Sequence, residues 1–331
     1  MELTAILFCC VYLALAVGHL PGFRLDRTGA VVVGAMLLIT LGRITPEAAW
    51  HAVDYRTIGL LFGLMVMSSA FSVAGFYRWV AARVGSLNVK PAMLLALLIA
   101  VTGALSALLT NDVVAVAMTP MLISICLVRG LNPVPFVLGF CFATNIGGAA
   151  TLIGSPQNMV VAEMLDLSFT QFTRATALPA LLGLPVIWGV VVMIYRGRWH
   201  LPGVEAARGA AASAAAPAVG ASMSSETAQT PPAAPAPAPV VIHLDVPAAV
   251  KASLVTTAVI VAFIFTDWPH VLIALGGASL LLISRHVESR DLLREVDGSL
   301  LLLLMGLFIV NMAMSSTGLP QQLIAYARNA G

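Results

Sequence analysis

Apolar runs of about 15 to 20 residues, close to the length that an α-helix needs to cross the hydrocarbon core of a bilayer, dominate the sequence. Sixty per cent of the 331 residues are hydrophobic and only 10% are charged, whereas soluble domains carry about 25% charged residues. The apolar side chains must therefore face lipid as well as one another. The sequence predicts an all-α integral membrane protein that crosses the bilayer several times.

Short polar turns divide the apolar runs into helices. We expect helices at 3–20, 28–42, 56–75, 91–109, 113–128, 134–165, 176–195, 248–266, 270–284 and 298–316, with an amphipathic stretch at 77–83. Residues 201–246 are rich in Ala, Pro and Ser. Because this composition cannot bury a core, we interpret them as a flexible linker. The linker separates a first part, residues 1–200, from a second part, residues 247–331.

The second part repeats the pattern of the first. A shift of 243 positions places Asp297 on Asp54 and Gly306 on Gly63. Cytoplasmic loops carry an excess of Lys and Arg, and this rule places the N-terminus outside and the linker in the cytoplasm. The first repeat then crosses an odd number of times, so the second begins on the opposite side. The pattern predicts an inverted repeat, the architecture of many secondary transporters.

The second repeat stops early. It reaches a counterpart of the amphipathic stretch at 321–328, and nothing in it matches residues 86–195. Inverted-repeat transporters build their site from both halves, so we expect about a hundred residues to be missing and the chain to carry half of a site. An alternative is a truncated membrane protein that does not transport.

Asp112 is the ionisable residue that lies well inside an apolar run. A carboxylate at membrane depth costs about 3 kcal/mol on insertion scales, which makes such a residue a functional candidate. Thr110 and Asn111 precede it, and Ser106 lies one turn earlier. If residues 91–128 form a re-entrant hairpin, these polar groups meet at its tip. The alternative is two complete crossings joined by an ordinary Asn-Asp turn in water.

A second polar interruption divides the segment 134–165. Glycines and a proline break helices there. Carbonyls freed by the break can coordinate a cation, and the start of a half-helix can face an anion. The alternative is a glycine-rich face that lets membrane helices pack closely. The candidate residues are Thr144, Asn145, Gly147, Gly148, Thr151, Gly154, Pro156 and Asn158.

Together the two interruptions resemble the ion transporter superfamily, which includes divalent-anion/sodium symporters, citrate and other anion permeases, arsenite permeases and some sodium/proton antiporters. In the anion symporters, a Ser-Asn-Thr hairpin tip and a glycine loop followed by Pro-x-Asn bind sodium and the substrate carboxylate. The resemblance implies a secondary transporter with alternating access and not an enzyme. It places a coupling Na⁺ at Ser106, Thr110, Asn111 and Gly148.

Asp112 departs from the symporter pattern, which has a neutral threonine there. Its charge would repel a dianion and suggests proton coupling or charge balance for a bound cation. We therefore expect transport of a small anion or oxyanion coupled to H⁺ or Na⁺. Efflux of arsenite or another metalloid hydroxide, and sodium/proton antiport, are the alternatives.

The remaining expectations concern partners and location. The resemblance implies a homodimer, and we expect the bacterial inner (plasma) membrane. The net charge of +2, without a basic cluster, predicts no nucleic-acid partner. The sequence shows neither a nucleotide-binding loop nor metal-ligand spacing, so we expect no bound cofactor beyond the coupling ion.

Overall fold

The computed structural model describes residues 2–18, 25–201, 244–266, 268–284 and 287–319. Within them it contains fourteen helices, and Leu131 and His200 form an isolated β-bridge. The helices are α1 (Glu2–Val17), α2 (Arg27–Thr40), α3 (Pro46–Ala52), α4 (Tyr55–Val73), α5 (Phe76–Gly85), α6 (Pro91–Leu108), α7 (Asn111–Val128), α8 (Pro133–Ala149), α9 (Pro156–Met164), α10 (Phe169–Ile194), α11 (Val246–Phe265), α12 (His270–Leu282), α13 (Ser289–Arg294) and α14 (Gly298–Ser315).

Six of the described helices, α4, α6, α7, α10, α11 and α14, are long and apolar enough to cross a membrane, and α1, α2, α8 and α12 are apolar but shorter. The predicted class of an all-α integral membrane protein is confirmed. Most of the predicted linker, 202–243, and the predicted counterpart of the amphipathic stretch, 321–328, lie outside the described residues.

The closing helix α10 begins earlier than the predicted range 176–195. Its first residue is Phe169. The Ser168 side chain accepts a hydrogen bond from the Gln171 N–H (3.2 Å), and the Gln171 side chain accepts one from the Ser168 N–H (3.0 Å). This capping box starts the helix within a polar segment, which apolar periodicity alone did not reveal. The short helices α3 and α13 were missed for the same reason.

Three helices of the second part begin 243 residues after their counterparts in the first part. The helices α1 to α4 correspond to α11 to α14: α2 and α12 begin at 27 and 270, α3 and α13 at 46 and 289, and α4 and α14 at 55 and 298. Left-handed glycines follow the last pair, Gly75 with φ +78° and Gly318 with φ +74°. These matching boundaries support the predicted internal repeat.

The central helix of each repeat packs against the first three helices of the other repeat. The helix α4 packs against α11, α12 and α13, and α14 packs against α1, α2 and α3. A Cβ atom on Gly63 would meet the backbone of Ala274, and one on Gly306 would meet Val31. Ala274 and Val31 are themselves related by the shift. The packing therefore has an approximate two-fold symmetry.

Contacts along α4 give the relative directions of the helices. Just beyond the α4–α12 contact at Gly63, Met67 faces Gly277, so α4 and α12 run parallel. Near the end of α4, the Ser72 hydroxyl donates to the Glu295 carboxylate (3.2 Å), shortly before α14 begins. The helix α14 therefore runs opposite to its counterpart α4. Opposed directions of equivalent helices are what an inverted repeat requires.

We name the two ends of the bundle by residues. The Asp54 side is where α4 begins. The Arg129 side is where α4 leads into α5, and there the Arg129 guanidinium donates to the carbonyls of Gly85 (2.9 Å) and Leu87 (3.0 Å). The helix α6 starts and α7 ends on the Arg129 side, so both hairpin arms return to one side. The helix α9 ends on the Asp54 side, where the charge of Asp54 acts on Glu163.

The larger apolar core extends from α4 through α7 to the closely packed pair α6 and α8. Leu60, Leu98, Phe136 and Phe140 are almost completely buried there. A smaller core joins α1, α2 and α3 to α14. The larger core holds the hairpin and the segment α8–α9 together.

Candidate functional site

The predicted hairpin tip is a break between α6 and α7. The chain leaves helical geometry at Leu109 and Thr110, whereas Asn111 and Asp112 already form the first turn of α7. The break is therefore shorter than the predicted Thr-Asn-Asp turn. Thr110 is 2% and Asn111 9% exposed, so in the structure this turn is buried in protein and does not lie in water.

The tip lies beside the middle of α4. Met65, midway along α4, and Thr110 line the same cavity of about 110 Å³. Both hairpin arms nevertheless start and end on the Arg129 side. A tip at half depth with both arms returning to one side favours a re-entrant hairpin over two complete crossings.

The segment α8–α9 is broken at residues 150–155. Gly147 and Gly148 stay inside α8, and the break falls at Gly154 and Ser155, with Pro156 as the first residue of α9. The helix α8 therefore ends directly after the first glycine group, at Ala149, whereas Gly154 of the second group lies near the end of the break. Proline at the first helical position suits the start of α9, since its missing N–H would have no partner there.

The glycine pair of α8 brings this helix close to the hairpin. A Cβ atom on Gly147 would collide with the backbone of Gly103 in α6, and one on Gly148 would lie 3.1 Å from the Asn111 Cβ. A Cβ on Gly154 would collide with Gly148. Gly147 and Gly148 thus permit close packing, and Gly154 lies in the break.

Two hydrogen bonds join the hairpin break to the α8–α9 break. The Asn111 N–H donates to the Gly154 carbonyl (3.0 Å), and the Thr151 hydroxyl donates to the Ala107 carbonyl. These bonds satisfy backbone groups that the two breaks free from their helices. The breaks therefore form one structural unit.

Asn158, in the first turn of α9, forms hydrogen bonds back across the α8–α9 break. Its Nδ2 donates to the carbonyls of Gly148 and Thr151, each at 2.8 Å. One amide thus binds the end of α8 and the loop that follows. Asn158 therefore connects the first turn of α9 to the break.

Three buried side-chain oxygens at the hairpin have no hydrogen-bond partner among the described residues. They are Ser106 Oγ, Thr110 Oγ1 and Asn111 Oδ1. Buried polar atoms are nearly always bonded, so unpaired ones call for a ligand, a water molecule or a functional explanation. Hydroxyl and amide oxygens are ligands that hard cations accept.

Thr144 and Asn145 do not take part in this network. The Thr144 hydroxyl donates to the Cys141 carbonyl (3.0 Å), and Asn145 Nδ2 donates to the same carbonyl (2.8 Å). Asn145 is exposed. Their side-chain bonds stay within α8, and the fold does not bring Asn145 to the break.

Asp112 faces two carboxylates of the second repeat. Glu295 and Asp297 line the same cavity as Thr110 and Asp112, and none of the described residues in its wall is Lys or Arg. The charge of Asp297 acts on Asp112. Sequence reasoning missed both residues as site candidates. The available signal was the repeat itself, because Asp297 caps α14 as Asp54 caps α4.

Comparisons with known proteins point to one family. The profile of the citrate transporter family (CitMHS) matches residues 11–330. An uncharacterised transporter of Mycobacterium tuberculosis (strain H37Rv) is 29% identical over 308 residues, which cover 91% of this chain and 66% of the relative. The chain therefore spans just under two thirds of the length of that relative.

Two further relatives match over part of the chain. A putative transporter, arsB, of Dictyostelium discoideum is 29% identical over 180 residues, covering 54% of this chain and 31% of that protein. The silicon efflux transporter LSI3 of rice (Oryza sativa subsp. japonica) is 33% identical over 162 residues, covering 49% of this chain and 33% of that protein.

Proposed function

The chain belongs to the citrate transporter (CitMHS) family, and on that premise we propose that it carries the hairpin-bearing repeat of an ion-coupled secondary transporter. The transported solute is a small anion or oxyanion, and transport proceeds by alternating access. Family membership and six candidate spans make the chain a multi-pass membrane protein.

The three unpaired oxygens at the hairpin carry this proposal. Ser106 Oγ, Thr110 Oγ1 and Asn111 Oδ1 lie buried at the junction of two broken elements, without partners in the part of the chain that the structure describes. They would hold a coupling Na⁺, together with the Gly148 carbonyl. That carbonyl accepts from Asn158 and has a second lone pair free. A cation bound there contributes positive charge beside the solute.

The N-termini of two helices favour the binding of an anion beside the proposed Na⁺ site. The helices α7 and α9 both begin at the breaks, and helix N-termini carry partial positive charge. Pro156, the first residue of α9, lines the cavity that Thr110 also lines. A small anion would therefore contact both half-helices next to the coupling ion.

The direction of insertion follows from basic residues. Arg78, Arg83, Lys90 and Arg129 lie in α5, in the connection to α6 and at the end of α7, on the Arg129 side. Lys and Arg favour cytoplasmic loops. We place the Arg129 side in the cytoplasm and the N-terminus outside, in the bacterial inner membrane.

A second candidate function is efflux of a neutral metalloid hydroxide. The carboxylates Asp112, Glu295 and Asp297 around one cavity favour it, because they repel a polyanion and can accept hydrogen bonds from a neutral hydroxide. The names of the arsB and LSI3 relatives agree with this alternative. Proteoliposomes loaded with an oxyanion, a dicarboxylate or arsenous acid separate the two candidates.

Substitution of the unpaired oxygens tests the leading proposal. In full-length protein in proteoliposomes, Ser106→Ala and Thr110→Ala are expected to lower Na⁺-driven uptake by about tenfold each, the effect of losing roughly one ligand bond. Thr119→Ala is the matched control on α7, because its hydroxyl already donates to the Ala115 carbonyl (2.6 Å). Equal uptake by Thr110→Ala and Thr119→Ala would contradict the proposal.

A further inference from the structure

The short helix α5 lies across the ends of two candidate spans on the Arg129 side. At its start, the hydroxyls of Tyr77 and Ser68 are hydrogen-bonded (2.8 Å), and Ser68 lies in the last two turns of α4. At its end, a Cβ atom on Gly85 would meet the side chain of Ile125, in the last turn of α7. Because α4 and α7 both end on the Arg129 side, α5 runs along the membrane surface there.

The two faces of α5 differ in chemistry. The residues that face the bundle are buried and mostly apolar: Tyr77, Val80, Ala81 and Val84. The other face exposes Arg78, Trp79 and Arg83, and Lys90 follows as an exposed residue just before α6. Trp79 and Arg83 are four residues apart and therefore neighbours on the helix surface. The Trp79 ring stacks on Phe76 (6.2 Å between ring centres). We call Arg78, Trp79, Arg83 and Lys90 the basic face of α5.

The cations of the basic face have no counter-charge among the described residues. No ion pair or side-chain hydrogen bond holds Arg78, Arg83 or Lys90 in the part of the chain that the structure describes. Two carboxylates approach the start of α5, and both have other partners. Asp245 caps α11 (3.1 Å to the Ala248 N–H), and Glu295 accepts a hydrogen bond from the end of α4. The positive charge of the basic face is therefore left uncompensated by the protein that surrounds it.

Arg129 has a different role from these cations. Its guanidinium donates to the carbonyls of Gly85 and Leu87, at and just beyond the end of α5. Carbonyls at the end of a helix lack partners within the helix, and a basic side chain can supply one. Arg129 thus fixes the end of α5 from the protein side, and the basic face is free to meet a partner outside.

We propose that the basic face of α5 is a docking surface for the headgroups of anionic phospholipids. Guanidinium groups bind phosphate through paired N–H donors, and tryptophan prefers the boundary between hydrocarbon and headgroups. Unpaired cations at the membrane surface attract anionic lipids. A bound lipid holds the connection between α4 and the hairpin at the membrane surface, whatever solute or coupling ion the protein uses.

The charge of this surface favours a lipid over a second copy of the chain. Two copies that met through the same surface by two-fold symmetry would bring Arg78, Arg83 and Lys90 of one against the same cations of the other. Like charges at that distance repel, whereas phosphate groups of lipid neutralise them. Attraction to an anionic lipid is also weakened by salt, which gives the docking a measurable signature.

Quenching of Trp79 fluorescence measures which lipid lies against the basic face. The parent is full-length protein with Trp79 as its single tryptophan, reconstituted in mixtures of phosphatidylcholine and phosphatidylglycerol. One of the two lipids is brominated, because bromine quenches indole fluorescence at close contact. The ratio of quenching by the two brominated lipids gives their relative affinity at Trp79. Phosphatidylglycerol is expected to be favoured about threefold to tenfold at low salt, and the ratio should fall towards one in about 1 M NaCl.

Charge removal tests whether the basic face is responsible. Arg78→Gln combined with Arg83→Gln should bring the low-salt ratio close to one. Arg196→Gln combined with Arg290→Gln is the matched control, because it removes two exposed cations from the same side of the molecule but not from α5, and it should leave the ratio unchanged. An equal ratio in the parent and in the α5 variant overturns the proposal. A Trp79 that neither lipid quenches also overturns it, since protein would then cover the surface.

A second tryptophan and a second measurement complete the test. A parent that keeps Trp50 in place of Trp79 reports on the Asp54 side, where Trp50 is 77% exposed, and its ratio should be close to one. A ratio there as high as that at Trp79 would show a general preference and overturn the docking surface. Thermal unfolding in nanodiscs needs no removal of tryptophans. Phosphatidylglycerol should raise the melting temperature, relative to phosphatidylcholine, more in the wild type than in the α5 variant, and equal gains would contradict the proposal.

Discussion

Thr110 occupies the N-cap position of α7, yet its hydroxyl makes no capping bond. Threonine at this position usually accepts from a backbone N–H of the first helical turn. Here the nearby Asn111 N–H donates to Gly154 in the other broken element. Part of the capping is thus supplied by a distant segment, and the Thr110 hydroxyl is left free for a ligand.

The residue most open to a direct test is Asp112. If it carries the coupling proton, Asp112→Asn is expected to flatten the pH profile of uptake while expression stays intact, since an amide cannot release a proton. The measurement is the initial uptake rate in proteoliposomes between pH 5.5 and 8.5. Asp291→Asn, at an exposed position on α13, is the control. An unaltered profile in Asp112→Asn would rule out Asp112 as the coupling residue.

The prediction of single site residues depended on the local contrast between polar and apolar neighbours. Ser106, Thr110 and Asn111 contrast with their apolar runs, and the structure leaves an oxygen of each buried and unpaired. Asn145 contrasts just as strongly with its apolar neighbours, but its side-chain amide donates a hydrogen bond to a carbonyl of its own helix. Sequence contrast shows that a polar group needs a partner, and it does not show whether the helix itself supplies one.

At the scale of elements, the approach of α8 to α6 positions the site. Gly147 lies against the backbone of Gly103 with no room for a Cβ. The hairpin and the broken segment can therefore lie this close only because residue 147 is a glycine, which has no Cβ. Backbone cannot move aside as a flexible side chain can, so this contact is intolerant of substitution.

Gly147→Ala is expected to destabilise the protein by about 1–3 kcal/mol through overpacking and to lower uptake, since the two breaks separate. Thermal unfolding of the purified protein measures the first effect. Gly189→Ala is the control: nothing lies within 4 Å of a Cβ there, and alanine favours the helix α10 by up to about 1 kcal/mol. Equal melting temperatures for the two variants would contradict this account of Gly147.

At the scale of the whole molecule, the repeats stabilise one another by reciprocal packing. The helix α4 lies against the counterpart of α2, and α14 lies against α2 itself. Each repeat thus buries its central helix mainly against the other repeat. Carboxylates of the second repeat reach the hairpin of the first for the same reason.

This symmetry predicts paired effects of substitution. Gly63→Ala and Gly306→Ala should both destabilise the protein by about 1–3 kcal/mol. The Gly63 variant should be the worse of the two, because its Cβ meets the backbone of Ala274 at 2.8 Å, whereas that of Gly306 meets a side-chain carbon of Val31 at 2.7 Å. Thermal unfolding is the measurement. Gly276→Ala, where nothing lies within 4 Å, is the control, and a variant pair as stable as this control would refute reciprocal packing.

The membrane class, most of the helices, the two polar interruptions and the 243-residue repeat all follow from the order of residues along the chain. All of these depend on apolar run length, helix-breaking residues or self-similarity, which are readable along the chain. The packing of the helices, in contrast, places Gly154 and not Gly147 in the break, directs Asn145 away from it, and brings Glu295 and Asp297 to face Asp112. These outcomes depend on backbone approach and on charges that lie more than 180 residues apart in sequence. No local pattern encodes them, because they arise only when helices of the two repeats pack together.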